Sequence, residues 1–241
     1  MYNTQPIKPL FKMNIIKLVK KIFVKKNSFK IEHSCKFEWV GTQYGGFYVN
    51  TNNLNENSII YSFGIGQDIS FDLYLINKFN CQVYGFDPTP KSIAWVKSQN
   101  TYANFHLSEY GIDMITGNKT FYLPKNINHV SGSIHLQDHV SELEQIIVKM
   151  KTFDDILTEK EHSTIDLLKI DIEGSEYDVI DSILSSKVII HQIVIEIHSR
   201  FFVDGKERNE ALLKKMKQNG FLLFAYSDRG EELSFMKIAT V

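Results

Sequence analysis

Ser58-Ile59-Ile60-Tyr61-Ser62-Phe63-Gly64-Ile65-Gly66-Gln67-Asp68 reads as a short apolar strand that runs straight into two glycines. A helix is predicted next over Ile69–Phe79, where Phe71, Leu75 and Phe79 fall along one face. A second apolar strand, Cys81–Phe86, ends in Asp87. The glycines let the backbone turn sharply and approach a ligand closely. A carboxylate about 20 residues beyond them is placed to accept hydrogen bonds from both hydroxyls of a ribose. Asp87 also reads as a helix cap or turn residue before Pro88, and a lone GxG also fits a plain strand-to-helix turn. The dinucleotide fingerprint is incomplete, because Ile69 stands where its third glycine belongs. Asp68 would repel a phosphate but suits a ligand with an ammonium group. Together these features predict an adenosine-type ligand at the carboxyl ends of parallel strands.

The rest of the chain repeats the alternation. A helix opens at Ser92–Lys97, and Asn104–Ile112 reads as one strand. The rhythm loosens over residues 116–151, with strands at Thr120–Leu123 and Gln145–Lys151 and a loop through Val130–His135. It resumes with a helical turn at Asp154–Thr158, a buried strand at Ile165–Ile170 and a helix at Tyr177–Leu184. A second buried strand at Ile189–Ile197 and a helix at Asn209–Asn219 follow. Phe221–Tyr226 and Leu233–Ala239 flank the turn Ser227–Gly230 as a closing hairpin, expected to add an antiparallel edge. Such alternation predicts an α/β domain with a mostly parallel sheet and helices on both faces.

Several segments resemble the FkbM family of methyltransferases over residues 40–240. The telling one is Asp166-Leu167-Leu168-Lys169-Ile170-Asp171-Ile172-Glu173-Gly174-Ser175-Glu176. The glycine loop, Gly85-Phe86-Asp87-Pro88-Thr89-Pro90, Thr152-Phe153-Asp154-Asp155-Ile156 and Val194-Ile195-Glu196-Ile197-His198 accompany it. The resemblance implies a class I, Rossmann-like methyltransferase fold with a seven-stranded sheet, S-adenosylmethionine as cofactor, and O-methylation of a sugar or natural-product hydroxyl. The expected cofactor set is Tyr44, Gly64, Ile65, Gly66, Asp68, Asp87, Pro88, Thr89, Ser108 and Asp171. Many class I methyltransferases carry an acid two residues before the first glycine. Here that residue is Ser62, so Asp68 or backbone carbonyls would hold the methionine ammonium.

Neighbouring strand ends lie about 5 Å apart, so Asp171, Glu173, Glu196 and His198 are expected to converge beside the reactive end. A sugar hydroxyl is a poor nucleophile and needs a base or a metal. His198 is the first choice of base, since an imidazole titrates near neutrality, and Asp171 the second. The same four residues suit Mg²⁺ or Mn²⁺. Glu176 reads as charge compensation at a helix start. Lys169 has no assigned role. The middle section is expected to help form the acceptor pocket; His106, His129, His135 and His139 lie in or near it, and loop histidines are more often surface residues than contacts.

The 241 residues fit one domain at 33–241 behind a basic segment at 1–32. In that segment Lys12, Lys17, Lys20, Lys21, Lys25, Lys26 and Lys30 occur without an acid, around an apolar stripe of Ile15, Ile16, Leu18, Val19, Ile22 and Phe23. An amphipathic helix is expected there, packing on the domain or on a second copy. The alternative is peripheral contact with an anionic membrane, on its cytoplasmic face, through residues 12–30. Vesicle binding unchanged by removal of residues 1–30 would dismiss that alternative. The net charge of -1 gives no sign of a nucleic-acid partner. Cys35 and Cys81 form no disulfide framework or metal quartet and fit a reducing cytosol. The segment 15–24 does not read as a signal peptide, and no apolar run reaches the roughly 18 residues of a membrane span. Oligomeric state is not legible. Competing readings are a protein or small natural-product acceptor, a nicotinamide-dependent oxidoreductase, and a non-catalytic nucleotide-binding module.

Overall fold

A computed structural model describes residues 29–99, 103–126, 132–136 and 140–238. The basic stretch ahead of residue 29, His129 and His139 lie outside the described residues. Six of the strands of the main sheet are β3 (Ile59–Phe63), β4 (Gln82–Phe86), β5 (Phe105–Ser108), β9 (Thr164–Ile170), β10 (Ile189–Glu196) and β11 (Phe221–Tyr226); the seventh is β12 (Glu232–Lys237). Their order is β11-β12-β10-β9-β3-β4-β5. The chain therefore reverses direction across the sheet at β3, which opens a crevice at the carboxyl ends of β3 and β9.

Helices cover both faces of this sheet. On one, α3 (Phe153–Lys160), α4 (Glu176–Ser185) and α5 (Gly205–Gln218) bury Phe153, Ile156, Val179, Ile183, Leu212 and Met216 against Leu168, Ile170, Ile193 and Ile195. On the other, α1 (Ser70–Phe79) and α2 (Pro90–Ser98) bury Phe71, Leu75 and Val96 against Ile60, Val83, Leu167 and Val194. The hairpin of β1 (Glu38–Val40) and β2 (Phe47–Val49) joins the second layer through Val40, Phe47 and Val49. Strands buried on both faces lose the polar alternation of a half-exposed strand, which is why β9 and β10 read as continuous apolar runs.

Two elements depart from the sequence expectation. The strand expected over Asn104–Ile112 is two. β5 ends at Ser108, and β6 (Gly111–Ile112) leaves the main sheet to pair in parallel with β8 (Val140–Lys151), which also pairs antiparallel with β7 (Gly117–Pro124). Tyr110 turns between them, packing on Phe86 and donating its hydroxyl to Glu159 at 2.8 Å. The closing hairpin is at the sheet's end as expected, but its antiparallel strand is not the edge. β12 lies between β10 and β11, with Leu233, Ser234 and Phe235 all buried. A strand that is apolar on both faces gains more from an interior position than from an edge.

The chain is docked on the domain from Phe29 onward. Phe29 packs edge-on against Tyr226 at 5.5 Å, and the backbone N–H groups of Glu32 and His33 donate to Leu223 O. No helix among the described residues is long and apolar enough to cross a membrane.

Candidate active site

The crevice at the strand ends is a cleft of about 880 Å³, including the open space at its mouth, and it sits where open α/β sheets bind their ligands. Tyr44, Gly64, Ile65, Gly66, Asp68, Asp87, Pro88, Thr89 and Asp171 all line it. Ser108 does not. It lies beneath the floor, where its carbonyl accepts the Asp87 N–H at 3.2 Å. The middle section walls the cleft through Gly111, Ile112, Phe121, Gly132, Ile134 and Met150. His106 and His135 face elsewhere, His106 onto Gln82 and His135 onto Asp178.

The glycine loop is built by close approach. Gly64 has a φ of +79°, and a Cβ there would stand 1.6 Å from the Asp171 carbonyl oxygen. Asp87 fixes the loop from below. One of its oxygens accepts from Ile65 N at 3.1 Å and Gly66 N at 2.9 Å, the other from Thr89 N at 2.8 Å and Thr89 Oγ1 at 2.6 Å. Asp87 thus closes the turn before Pro88 and lines the cleft as well. Burial raises its pKa, against these hydrogen bonds. Asp68 accepts from Ser70 N and from Thr42 Oγ1, which ties the turn between β1 and β2 to the start of α1. Burial opposes its charge, but the bonds from Ser70 and Thr42 prevail and lower its pKa.

Lys169 is a cleft residue that the sequence reading left without a role. It is 4% exposed and lines the cleft, with Nζ donating to Gly64 O at 2.8 Å and lying 3.6 Å from Asp171 Oδ2. A lysine inside an apolar strand was itself the signal, because burying an unpaired ammonium is costly.

The expected convergence beyond the strand ends is present. His198 Nε2 lies 3.3 Å from Glu173, 3.6 Å from Glu196 and 3.9 Å from Asp171. Asp171 and Glu173 line the cleft, while Glu196 and His198 stand behind them. Glu173 has a φ of +52°. That left-handed geometry costs a non-glycine residue roughly 1–2 kcal/mol, and such strain clusters at functional sites. Ser133 Oγ holds the turn by donating to Glu173 O at 3.0 Å.

Glu176 does more than compensate a helix end. It is fully buried; Oε1 accepts from His198 N at 2.8 Å and faces His198 Nδ1 at 3.2 Å, while Oε2 accepts from Gly174 N at 2.9 Å. Burial works against a charged His198 ring. The charge and hydrogen bond of Glu176, with Glu173 and Glu196 beside it, outweigh burial and push its pKa up to about 10. That direction favours the imidazolium, which has no lone pair to accept a proton, and so favours Asp171 over His198 as the base. The pKa of Glu196 is also raised, by burial and then by Asp171.

These shifts set a pH dependence of stability. His198 is raised from its ordinary 6.5 and Glu196 from its ordinary 4.5. Between each ordinary value and the raised one, about 8 for Glu196 and about 10 for His198, the folded chain holds a proton that the unfolded chain releases, so stability falls as pH rises. The His198 contribution is complete below 6.5 and is lost as pH rises through about 10. The melting temperature of the ligand-free protein is expected to drop from about pH 7 to about pH 10, with a shallower slope in His198→Gln. Equal slopes in both proteins would contradict this assignment.

Residues 47–223 match the methyltransferase FkbM domain. The chain belongs to the FkbM methyltransferase family. It is similar to the human protein named "Probable methyltransferase-like protein 24", 27% identical over 195 residues, covering 76% of this chain and 46% of that protein. The protein of the same name from Rattus norvegicus is 26% identical over 190 residues, covering 74% and 46%. The FkbM chain thus spans about half the length of these curated relatives. Among solved structures it is similar to the Methanococcus jannaschii fibrillarin pre-rRNA processing protein, with TM-score 0.45, 12% identity and coverage of 87% and 85% of the two chains. Aeropyrum pernix fibrillarin, solved with S-adenosyl-L-methionine, gives TM-score 0.43, 10% identity and coverage of 77% and 67%. S-adenosylmethionine is the cofactor of this domain. The backbone approach at Gly64 and the acid at Asp87 both fit it.

Proposed function

We propose that this domain methylates a sugar hydroxyl from S-adenosylmethionine, with Asp171 taking the hydroxyl proton. The observation that supports this most strongly is the placing of Asp171. Its carboxylate lines the cleft beside the glycine loop and lies between two cations, Lys169 and the His198 imidazolium. Asp87 and Thr89 would face the ribose, while Gly64–Gly66, Asp68 and Tyr44 would enclose the methionine end. The bound cofactor supplies a methyl group on a sulfonium. The chain would hold the acceptor hydroxyl in the cleft beside Asp171, and Asp171 would receive its proton. The products are a methyl ether and S-adenosylhomocysteine. Lys169 fixes Asp171 and Gly64 relative to one another, and Glu176 holds His198 behind Asp171.

A second reading rests on the same atoms. Ligand atoms of Asp171, Glu196 and His198 lie within 4.8 Å of one another. Glu176 on Nδ1 is the kind of outer partner that orients a metal-bound histidine. A divalent cation, Mg²⁺ or Mn²⁺, would displace the proton on Nε2 and lower the pKa of a bound hydroxyl. Turnover of labelled S-adenosylmethionine on a saccharide panel, with and without EDTA, separates the two. Turnover unaffected by EDTA supports the imidazolium; loss restored by Mn²⁺ supports the metal. Turnover on a protein or small natural-product acceptor but on no saccharide would overturn the sugar reading.

A further inference from the structure

A second concavity, of about 910 Å³ including its mouth, lies between the β1–β2 hairpin and the β11–β12 turn. Trp39, Gln43, Tyr48, Asp228, Arg229 and Glu232 line it. We infer that this groove binds a sugar unit of an oligosaccharide acceptor, next to the unit that is methylated. The inference rests on the sugar-acceptor reading above and extends it to a second subsite.

The groove's chemistry fits a carbohydrate. Trp39 and Tyr48 pack edge to face, 5.0 Å apart and at 80°. Two rings held at that angle cannot lie flat on each other, and aromatic faces are the surfaces on which the C–H faces of pyranoses stack. Trp39 is further fixed by Nε1 donating to Thr42 O at 2.9 Å. Around the rings stand an amide (Gln43), a carboxylate (Asp228) and a guanidinium (Arg229), each planar and able to make paired hydrogen bonds to neighbouring hydroxyls. Arg229 is bonded to Glu232 and lies 3.7 Å from Glu231, so its charge is balanced within the wall. A neutral polyol suits such a surface better than an anion does.

The position fits as well. Gln43 lines the groove and the next residue, Tyr44, lines the cofactor cleft, so the turn of the first hairpin is a wall common to both. On the other side the two are linked through Glu232, Glu196, His198 and Asp171. Glu232 of the groove is the strand partner of Glu196. Glu196 is 3.6 Å from His198, and His198 is 3.9 Å from Asp171. With that wall in common, a ring in the groove would be a neighbour of the reacting ring, and the acceptor a chain of linked sugars.

The test is binding of the full chain, saturated with S-adenosylhomocysteine, to an array of linear oligosaccharides and their monosaccharides. Wild type is expected to retain at least one oligosaccharide and to hold its monosaccharides more weakly. Trp39→Ala should bind that oligosaccharide about tenfold more weakly, the scale of one lost aromatic contact. Gln43→Ala, an exposed change that leaves the hairpin packing intact, should also weaken it. S-adenosylhomocysteine titration confirms that each variant is folded. No retained oligosaccharide, or equal retention by wild type and both variants, would overturn the groove. An oligosaccharide bound in the groove but never methylated would instead remove the sugar-methylation reading and leave the groove standing.

Discussion

Asp171→Asn is expected to lower the rate of methyl transfer by about a hundredfold or more, the usual contribution of a positioned base. Binding of S-adenosylhomocysteine should change by no more than a few-fold. The amide keeps the shape of the side chain and still lines the cleft, but it cannot take a proton. Its loss should therefore appear in kcat, with little change in KM for the cofactor. Lys169 Nζ would keep its bond to Gly64 O, so the glycine loop should stay in place. A single-turnover rate within tenfold of wild type would exclude Asp171 as the base and move the role to Glu173, the other acid of the cluster that lines the cleft.

Gly64→Ala is expected to abolish cofactor binding and to destabilise the domain by about 3–4 kcal/mol, through left-handed strain and overpacking together. The new Cβ would meet backbone: the Asp171 carbonyl oxygen at 1.6 Å and its carbon at 2.7 Å. A flexible side chain could yield, but the ends of β3 and β9 are bonded there, with Asp171 N donating to Phe63 O at 3.0 Å. Relief requires the two strand ends to separate, and the cleft lies between them. Gly117→Ala is the matched control. It also has a positive φ, +149°, but nothing stands within 4 Å of its Cβ. It should lose much less stability, measured by denaturant unfolding, and should bind S-adenosylhomocysteine like wild type.

The parts of this fold that were legible in the sequence are those fixed by local pattern. β3, β4, β9 and β10 announce themselves as apolar runs ending in glycines or acids, because strands buried on both faces have no polar alternation. The convergence of Asp171, Glu173, Glu196 and His198 was legible for a related reason: in a parallel sheet, residues that end adjacent strands must be neighbours. The break at Tyr110 was not. Phe105–Ile112 keeps a strand-like composition throughout, and only the pairing of Gly111 with Met150, far along the chain, shows that it changes sheets. The charge of His198 was hidden in the same way. Near-neutral titration is the ordinary property of an imidazole, and here it is overridden by Glu176, 22 residues away, with its carboxylate on Nδ1. The sequence shows Glu176 at a helix start; it does not show that the helix points this acid inward.

The most direct test of the central claim is to supply S-adenosylmethionine with an isotope-labelled methyl group together with an oligosaccharide acceptor, and to locate the label in the product by NMR. The account predicts a methyl ether on a sugar oxygen, formed by the wild-type chain and absent with Asp171→Asn. A label on nitrogen, or on carbon, or on a sugar oxygen at equal rates in both proteins would contradict it.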